Sequence, residues 1–190
     1  MARVKMIPPE GADTETRRVY DGVLRQWGRI SNFSKVLAHQ PAALEGWMLP
    51  NESIRLKNVK ADPEYVKIQQ LVIIKTSALN RSAYCMSHNV PLGRKIGLTD
   101  AQIKAAQGKS YMRSKSLNAR QKTAIRWSEA VTRMTARKDD AAFAAMKKHF
   151  TEKQIVELTV FCGMWNYSNR LCEALHVDLE RPDKRIAFQK

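Results

Sequence analysis

The sequence predicts an all-α fold, and three observations support that prediction. Apolar residues recur at spacings of three and four along successive segments, which places their side chains on one face of a helix. No segment shows the alternation of apolar and polar residues that is typical of a half-buried strand. Glycine is sparse, with 8 residues in 190, so few positions break a helical pattern. We therefore expect a helical bundle of about seven to eight helices.

The length of the chain is that of one ordinary domain. A chain of 190 residues can bury a full hydrophobic core. We expect residues 1–190 to form a single domain, with a core region at about 60–108 and a helical N-terminal extension at 13–56. Proline and glycine in residues 1–12 predict an extended arm before the first helix.

Capping residues mark where the predicted helices begin. Side chains of Ser, Thr, Asp and Asn accept hydrogen bonds from the unpaired N–H groups of a first helical turn. Three of these positions carry glutamine three residues later, which completes a capping box. In chain order, the expected caps are Asp13 or Thr14, Ser31 or Asn32, Asn80 or Ser82, Thr99, Asn118, Asp139 or Asp140, and Thr151.

Proline and glycine mark further boundaries. Gly28 and Gly97 are expected to end helices, because glycine readily adopts the left-handed conformation that often follows a helix. Pro41 is expected in a first helical turn, where its missing N–H is tolerated. Pro50 is expected to interrupt or bend its helix, because it removes one hydrogen bond and clashes with the preceding turn.

The most apolar predicted helix covers residues 63–80. Its middle reads LVII, which alone could also form a buried strand. The long uninterrupted pattern and the lack of a partner strand favour a helix. Lys75 is the exception within this run, and two interpretations of it stay open: a side chain that reaches from the core edge to solvent, or a group that faces an anionic ligand.

The charge of the chain predicts anionic partners. The formal net charge is +15, and residues 101–128 contain basic residues but no acidic one. Such a balance is compatible with a carboxylate substrate, phosphate, nucleic acid or nothing specific. The sequence shows neither aromatic stacking platforms nor a helix-turn-helix. We therefore expect a small anionic molecule as substrate and no nucleic-acid partner.

The sequence also predicts a cytoplasmic location. No apolar run approaches the length of a membrane span, so we expect no membrane association. Residues 1–16 lack the apolar region of a secretory signal. The chain has 3 cysteines and no Cys-x-x-Cys pair, which fits a reducing compartment better than an exported disulfide framework.

The best candidate for chemistry lies in residues 77–106. Read as a helix, Cys85, His88, Asn89 and Leu92 share one face. A thiol and an imidazole one turn apart can exchange a proton. If Ser82 caps this helix, the thiol lies in the first turn, where a thiolate is stabilised. The alternative is a buried cysteine beside a hydrogen-bonded histidine.

Other candidate groups are predicted to be structural. Cys162 and Cys172 fall on an apolar helix face, where cysteine behaves as a small hydrophobe. The 4 histidines are dispersed and show no zinc-type spacing with Cys or Asp, so we expect no metal site. The chain contains no glycine-rich phosphate loop and no dinucleotide motif, so no cofactor is expected.

Residues 69–85 (QQLVIIKTSALNRSAYC) and 88–106 (HNVPLGRKIGLTDAQIKAA) resemble the alkylhydroperoxidase-like and carboxymuconolactone decarboxylase family. A weaker resemblance continues at residues 19–41 and 161–180, so that it covers most of the chain. The resemblance implies an all-helical bundle. It also implies homo-oligomers, since family members assemble into dimers, trimers or larger rings.

The family's redox motif is only partly present. In the peroxidase branch the pattern is Glu, eleven residues, then Cys-x-x-Cys-x-x-x-His. The corresponding positions here are Gln70, Ser82, Cys85 and Asn89, so only the second cysteine is kept. His88 lies one residue before the family's histidine, which the cofactor-free decarboxylase branch also uses.

Three functional hypotheses follow. The first is a cofactor-free decarboxylase or lyase that acts on a small anionic organic acid or lactone, with His88 as acid or base and Cys85 in the pocket. Tyr84, Asn89, Gln70 and Ser82 are expected to bind the substrate. The second is a thiol-dependent peroxidase in which Cys85 is oxidised and resolved by an external thiol. The third is a non-catalytic binding or assembly protein with the same fold.

Overall fold

The structure is a computed structural model that describes residues 1–181 and 183. Within this part all regular secondary structure is helical, and eight of the helices have seven or more residues, which confirms the all-α prediction. The α-helices are α1 Thr14–Trp27, α2 Asn32–Leu37, α3 Pro41–Pro50, α4 Lys57–Ala61, α5 Pro63–Leu79, α6 Ala83–Lys95, α7 Asp100–Gln107, α8 Ala119–Thr132, α9 Asp140–His149 and α10 Glu152–Ala174.

Helix α5 lies at the centre of the bundle. It packs against α6, α7, α8 and α10, so its apolar surface extends around the helix instead of forming one stripe. The residues Leu71, Val72, Ile73 and Ile74 are each at most 1 % exposed. The LVII run is therefore a buried helix segment, as predicted.

Lys75 is buried within this central helix. Its ammonium group donates to the backbone oxygen of Gly108 at 3.0 Å and lies 3.3 Å from the Glu129 carboxylate. It also lies over the Tyr111 ring, 4.4 Å from the ring centroid. These contacts compensate the buried charge. Of the two interpretations that the sequence left open, the reach to solvent is wrong, because Lys75 is 1 % exposed.

Each predicted helix cap is present. Side chains accept a first-turn N–H at Asp13, Ser31, Ser82, Thr99, Asn118, Asp139 and Thr151. Asp62 caps α5 in the same way and was not predicted. Gly28 ends α1 with φ 68°, and Gly97 follows α6 with φ 91°. Both glycines thus have the left-handed conformation that other residues rarely adopt.

Pro50 ends α3 without ending the helical path. The chain continues as a π-helix over Asn51–Leu56 and then as α4. A π-helical segment has one extra residue in each hydrogen-bonded turn, and such segments are frequent at functional sites. The segment contains Arg55, which is 1 % exposed. An arginine side chain thereby enters the core from an otherwise peripheral helix.

The residues that follow α10 fold back over the N-terminal part of the chain. We call residues 175–181 the C-terminal strap. The backbone N–H of Arg3 donates to Leu175 at 2.8 Å, and the Asn32 amide donates to the backbone oxygen of Asp178 at 3.0 Å. The strap therefore crosses the start of α2 and carries Glu180 to the face of α6.

Among the described residues, no helix combines the length and the apolar character that crossing a membrane requires.

Candidate functional site

The first turn of α6 holds the thiol that the sequence singles out. The Ser82 hydroxyl caps this helix by accepting the backbone N–H of Cys85 at 3.5 Å. Cys85 is 5 % exposed. Unpaired N–H groups and the helix dipole favour negative charge at this end of a helix. Cys85 therefore lies where a thiolate is stabilised.

A second thiol is packed near Cys85. Cys172 belongs to the last turn of α10, which packs against α6, and both cysteines belong to one buried cluster. The interaction with Cys172 is the largest cause acting on the pKa of Cys85 and lowers it; burial opposes it, while Ser82 and Asn169 add to the lowering. The interaction with Cys85, followed by burial, raises the pKa of Cys172. Of the two thiols, Cys85 is therefore the one that ionises more easily.

The His88 ring forms a hydrogen bond with a carboxylate of the C-terminal strap. Its Nε2 atom lies 2.7 Å from Oε2 of Glu180. The Tyr84 hydroxyl donates to Oε1 of the same carboxylate at 2.7 Å, and the backbone N–H of Asn32 donates to it at 2.6 Å. The Tyr84 and His88 ring centroids are 4.9 Å apart. Groups from three elements thus fix the orientation of the imidazole.

These hydrogen bonds favour the ionised form of Glu180. Burial acts most strongly and raises the pKa of this carboxyl, but the bonds from His88, Tyr84 and Asn32 together bring the pKa below its ordinary value. Burial and then the neighbouring Glu180 raise the pKa of Tyr84, so its hydroxyl stays protonated. A carboxylate that orients an imidazole is suited to general acid or base catalysis.

A series of polar side chains connects the π-helical segment to α6. The guanidinium of Arg55 donates to Oε1 of Gln70 and lies over the Trp165 ring, 5.4 Å from its centroid. The Gln70 amide donates to the backbone oxygen of Asn89 at 2.7 Å, and the Asn89 amide donates to that of Cys85 at 2.8 Å. Burial lowers the pKa of Arg55 to about 9, which leaves it charged at neutral pH.

These groups surround a cavity of about 60 Å³. The wall is largely apolar and includes five aromatic side chains, and such surroundings strengthen the electrostatic interactions of the polar groups that face it. The lining residues are Trp27, Ser31, Phe33, Trp47, Arg55, Tyr84, Cys85, His88, Asn89, Leu92, Trp165 and Ser168.

Most of the site residues assigned from the sequence come together here, namely Tyr84, Cys85, His88 and Asn89. Gln70 and Ser82 are fully buried and support lining residues through the hydrogen bonds described above. Their roles in catalysis and substrate binding remain predictions.

Sequence reasoning missed three groups at this site. Glu180 follows the last helix, where no periodic pattern indicates its position. Arg55 lies in a segment whose π-helical turn has no sequence signal. Cys172 was predicted only to pack in the core; it is buried there, in the same cluster as Cys85, whose pKa it lowers.

The described part of the chain contains no group of three or more His, Cys, Asp or Glu side chains arranged to hold a metal ion.

Comparisons with known proteins identify the fold. The structure superimposes with a TM-score of 0.77 on an AhpD-core, peroxidase-related protein from Ralstonia eutropha JMP134, at 17 % identity over 94 % of this chain and 92 % of the other. It superimposes with a TM-score of 0.73 on a cysteine-to-alanine variant of the debrominase Bmp8 in complex with 2,3,4-tribromopyrrole, at 15 % identity over 94 % and 92 % of the two chains. The chain thus has the alkylhydroperoxidase AhpD-like fold, which confirms the predicted resemblance.

Sequence comparison adds one curated relative. The uncharacterised protein YdfG of Bacillus subtilis is 24 % identical over 108 residues, which are 56 % of this chain and 72 % of that protein. No protein-family model matches the sequence.

Proposed function

We propose that this protein is a thiol-dependent reductase of small hydroperoxides, in which Cys85 is the attacking group and His88 transfers a proton. One observation carries the proposal: Cys85 lines the cavity from a capped helix N-terminus, and a second thiol in the same buried cluster helps to lower its pKa. The sequence alone favoured a lyase, because only one of the four positions of the family's redox motif is kept and the chain is basic. A second thiol in the buried cluster of Cys85 changes the order of the hypotheses.

The proposed reaction begins with attack on the peroxide. The Cys85 thiolate bonds to the terminal peroxide oxygen, the O–O bond breaks, and the sulfur is oxidised by two electrons to a sulfenic acid. The alkoxide that leaves takes a proton from His88, which Glu180 holds in place. A thiol then reduces the sulfenic acid, with release of water, and a second thiol restores Cys85.

The structural neighbours are compatible with this chemistry. The Ralstonia eutropha protein is described as peroxidase-related, and Bmp8 is a debrominase whose brominated ligand was captured in a variant lacking one cysteine. We propose by analogy that thiol chemistry also takes place in the cavity of this chain.

Peroxide consumption in the presence of an excess dithiol tests the proposal. We expect turnover by the wild type and loss of it in Cys85→Ser, because serine cannot be oxidised in this way. His88→Ala should lower the rate by about 100-fold or more, which is the usual contribution of a general acid. Cys162→Ser is the matched control, because Cys162 belongs to a different buried cluster, and it should retain wild-type turnover. Equal turnover by wild type and Cys85→Ser would reject the proposal.

The decarboxylase or lyase remains a second candidate because of Arg55. Its guanidinium lines the same cavity as His88 and could hold the carboxylate of a small organic acid or lactone while His88 moves a proton. This activity would survive Cys85→Ser and be lost in Arg55→Met and His88→Ala. Decarboxylation of carboxylated lactones by these three variants separates the two candidates. No turnover in either assay would favour the non-catalytic hypothesis.

A further inference from the structure

We infer that Cys172 is the resolving thiol of this site, so that Cys85, once oxidised, forms a disulfide with Cys172. This inference rests on the proposed function for its peroxide step. It replaces the external thiol of the sequence hypothesis with a group of the chain itself, supplied by a different helix.

The packing of α6 against α10 brings the two thiols together. Both cysteines are buried in one hydrophobic cluster of the packed helices, at 5 % and 2 % exposure, and each thiol shifts the pKa of the other. All three cysteines of the chain are unbridged. Disulfide formation requires Cα atoms about 4.4–6.8 Å apart and facing Cβ vectors, which neighbouring side chains on packed helices can provide.

The two thiols differ in their access to the cavity. Cys85 is part of the lining, whereas Cys172 is outside it among the described residues. A substrate in the cavity therefore reaches Cys85 first. The two cysteines also lie at opposite helix ends, because Cys85 is in the first turn of α6 and Cys172 in the last turn of α10. The helix dipoles favour a thiolate at the first position and a thiol at the second.

No residue near Cys85 in the sequence can take this role. The nearest preceding candidate position holds Ser82, whose hydroxyl cannot form a disulfide and which already caps α6. Cys162 lies in another cluster and hydrogen-bonds to the backbone oxygen of Ser128 at 3.5 Å. Cys172 is the remaining cysteine of the chain.

The resolving step balances without a further reactant. The sulfur of Cys172 attacks the sulfur of the Cys85 sulfenic acid, the S–O bond breaks, and the hydroxyl leaves as water with the proton of Cys172. The interaction with Cys85 is the largest cause that raises the pKa of Cys172, and oxidation removes the negative charge of Cys85. Cys172 thus becomes easier to deprotonate when it is needed. An external dithiol then supplies two electrons and two protons to reopen the disulfide.

Two oxidants test the inference separately from the proposed function. Diamide joins neighbouring thiols without a peroxide step, so wild-type protein treated with it should lose about 2 Da and yield one linked peptide containing Cys85 and Cys172. The same product should form with one equivalent of cumene hydroperoxide and disappear with dithiothreitol. In Cys172→Ser, the peroxide should leave a dimedone-reactive sulfenic acid at Cys85. Cys162→Ser should behave as the wild type.

The outcomes distinguish the two claims. Two results would overturn the role of Cys172 and leave the proposed function standing. One is that diamide yields no linked peptide. The other is that a sulfenic acid at Cys85 accumulates equally in wild type and Cys172→Ser. A linked peptide with diamide and an unmodified Cys85 after peroxide supports the pairing but rejects the proposed function. The wild-type measurements decide the question even if a variant fails to fold.

Discussion

Glu180 shows how a single side chain outside the helices completes the site. Its carboxylate accepts hydrogen bonds from the Tyr84 hydroxyl and the Asn32 backbone N–H, and it also forms a hydrogen bond with the His88 ring. Both donors lie outside the C-terminal strap, because Tyr84 is in α6 and Asn32 begins α2. The orientation of His88 therefore depends on the folded position of the C-terminal strap.

The ionisation of Glu180 should make stability depend on pH. The pKa of Glu180 is lower in the folded protein than in the unfolded chain. The contribution of its carboxylate to the free energy of unfolding is therefore present above the unfolded pKa of about 4.3 and is lost as pH falls through the folded pKa. Urea midpoints measured between about pH 3 and pH 7 should fall more steeply on acidification for the wild type than for Glu180→Gln. Parallel curves for the two proteins would show that the carboxylate is not held as described.

Substitution of Glu180 should also affect His88. Glu180→Gln keeps the size of the side chain but removes the charge that orients the imidazole, so peroxide turnover should fall by about 10-fold or more. Glu45→Gln is a matched control, since it removes an exposed carboxylate that pairs with Arg18 and has no described bond to His88. Unchanged turnover in Glu180→Gln would exclude a role for the carboxylate in positioning His88.

The cavity-lining residues found from the sequence belong to one helix. Cys85, His88 and Asn89 follow from helical spacing, because that spacing fixes which side chains share a face. Arg55 and Glu180 come from other elements, and their approach is decided by packing that no local pattern encodes. Sequence reasoning therefore located the reacting helix but not the groups that other elements bring to it.

Among the elements, the N-terminus of α6 has the greatest influence on chemistry. Ser82→Ala removes its cap and should destabilise the protein by about 0.5–1 kcal/mol, toward the low end because the bond is long at 3.5 Å. It should also raise the pKa of Cys85, since the Ser82 hydroxyl helps to lower it. The measurements are the urea midpoint and the pH at which half of Cys85 reacts with iodoacetamide.

Asn118→Ala provides the comparison for that change. Asn118 caps α8 and accepts the N–H of Gln121 at 2.9 Å, without a described contact to either cysteine of the pair. Asn118→Ala should lower the free energy of unfolding by a similar amount and leave the reactivity of Cys85 unchanged. If both variants change the reactivity of Cys85 equally, a general loss of stability, and not the Ser82 cap, determines that reactivity.

Helix boundaries could be predicted well because their signals are local. Capping side chains and glycines act on backbone groups within a few residues, so the sequence determines them directly. The consequence of Pro50 was less predictable. The sequence indicates a lost hydrogen bond, whereas the chain compensates with a π-helical turn whose stability depends on what its side chains contact.

For the whole molecule, a homo-oligomer remains a prediction from the sequence. Large apolar side chains remain exposed in the described chain, including Leu49 at 64 %, Met134 at 88 % and Val156 at 62 %. Exposed apolar groups are frequent where copies of a chain associate. Light scattering at micromolar concentration should give a mass above that of one chain, and a monomer would contradict the prediction.

The net charge of +15 should influence substrate encounter. A positive protein attracts anionic substrates over distances that salt shortens, with a screening length of about 8 Å at physiological ionic strength. The ratio of turnover with a carboxylated hydroperoxide to that with a neutral one should therefore decrease as salt is added. A ratio that does not depend on salt would exclude electrostatic attraction as a contribution to substrate selection.

The pH dependence of thiol alkylation examines whether Cys85 is the reactive group. Native protein is treated with iodoacetamide from about pH 5 to about pH 10, and the modified fraction of each cysteine is measured by mass spectrometry. We expect Cys85 to react before Cys162 and Cys172, with its half-reaction below the ordinary thiol pKa of about 8.5. Half-reaction of Cys85 at or above that pH, or earlier modification of Cys162 or Cys172, would contradict an activated thiolate at Cys85.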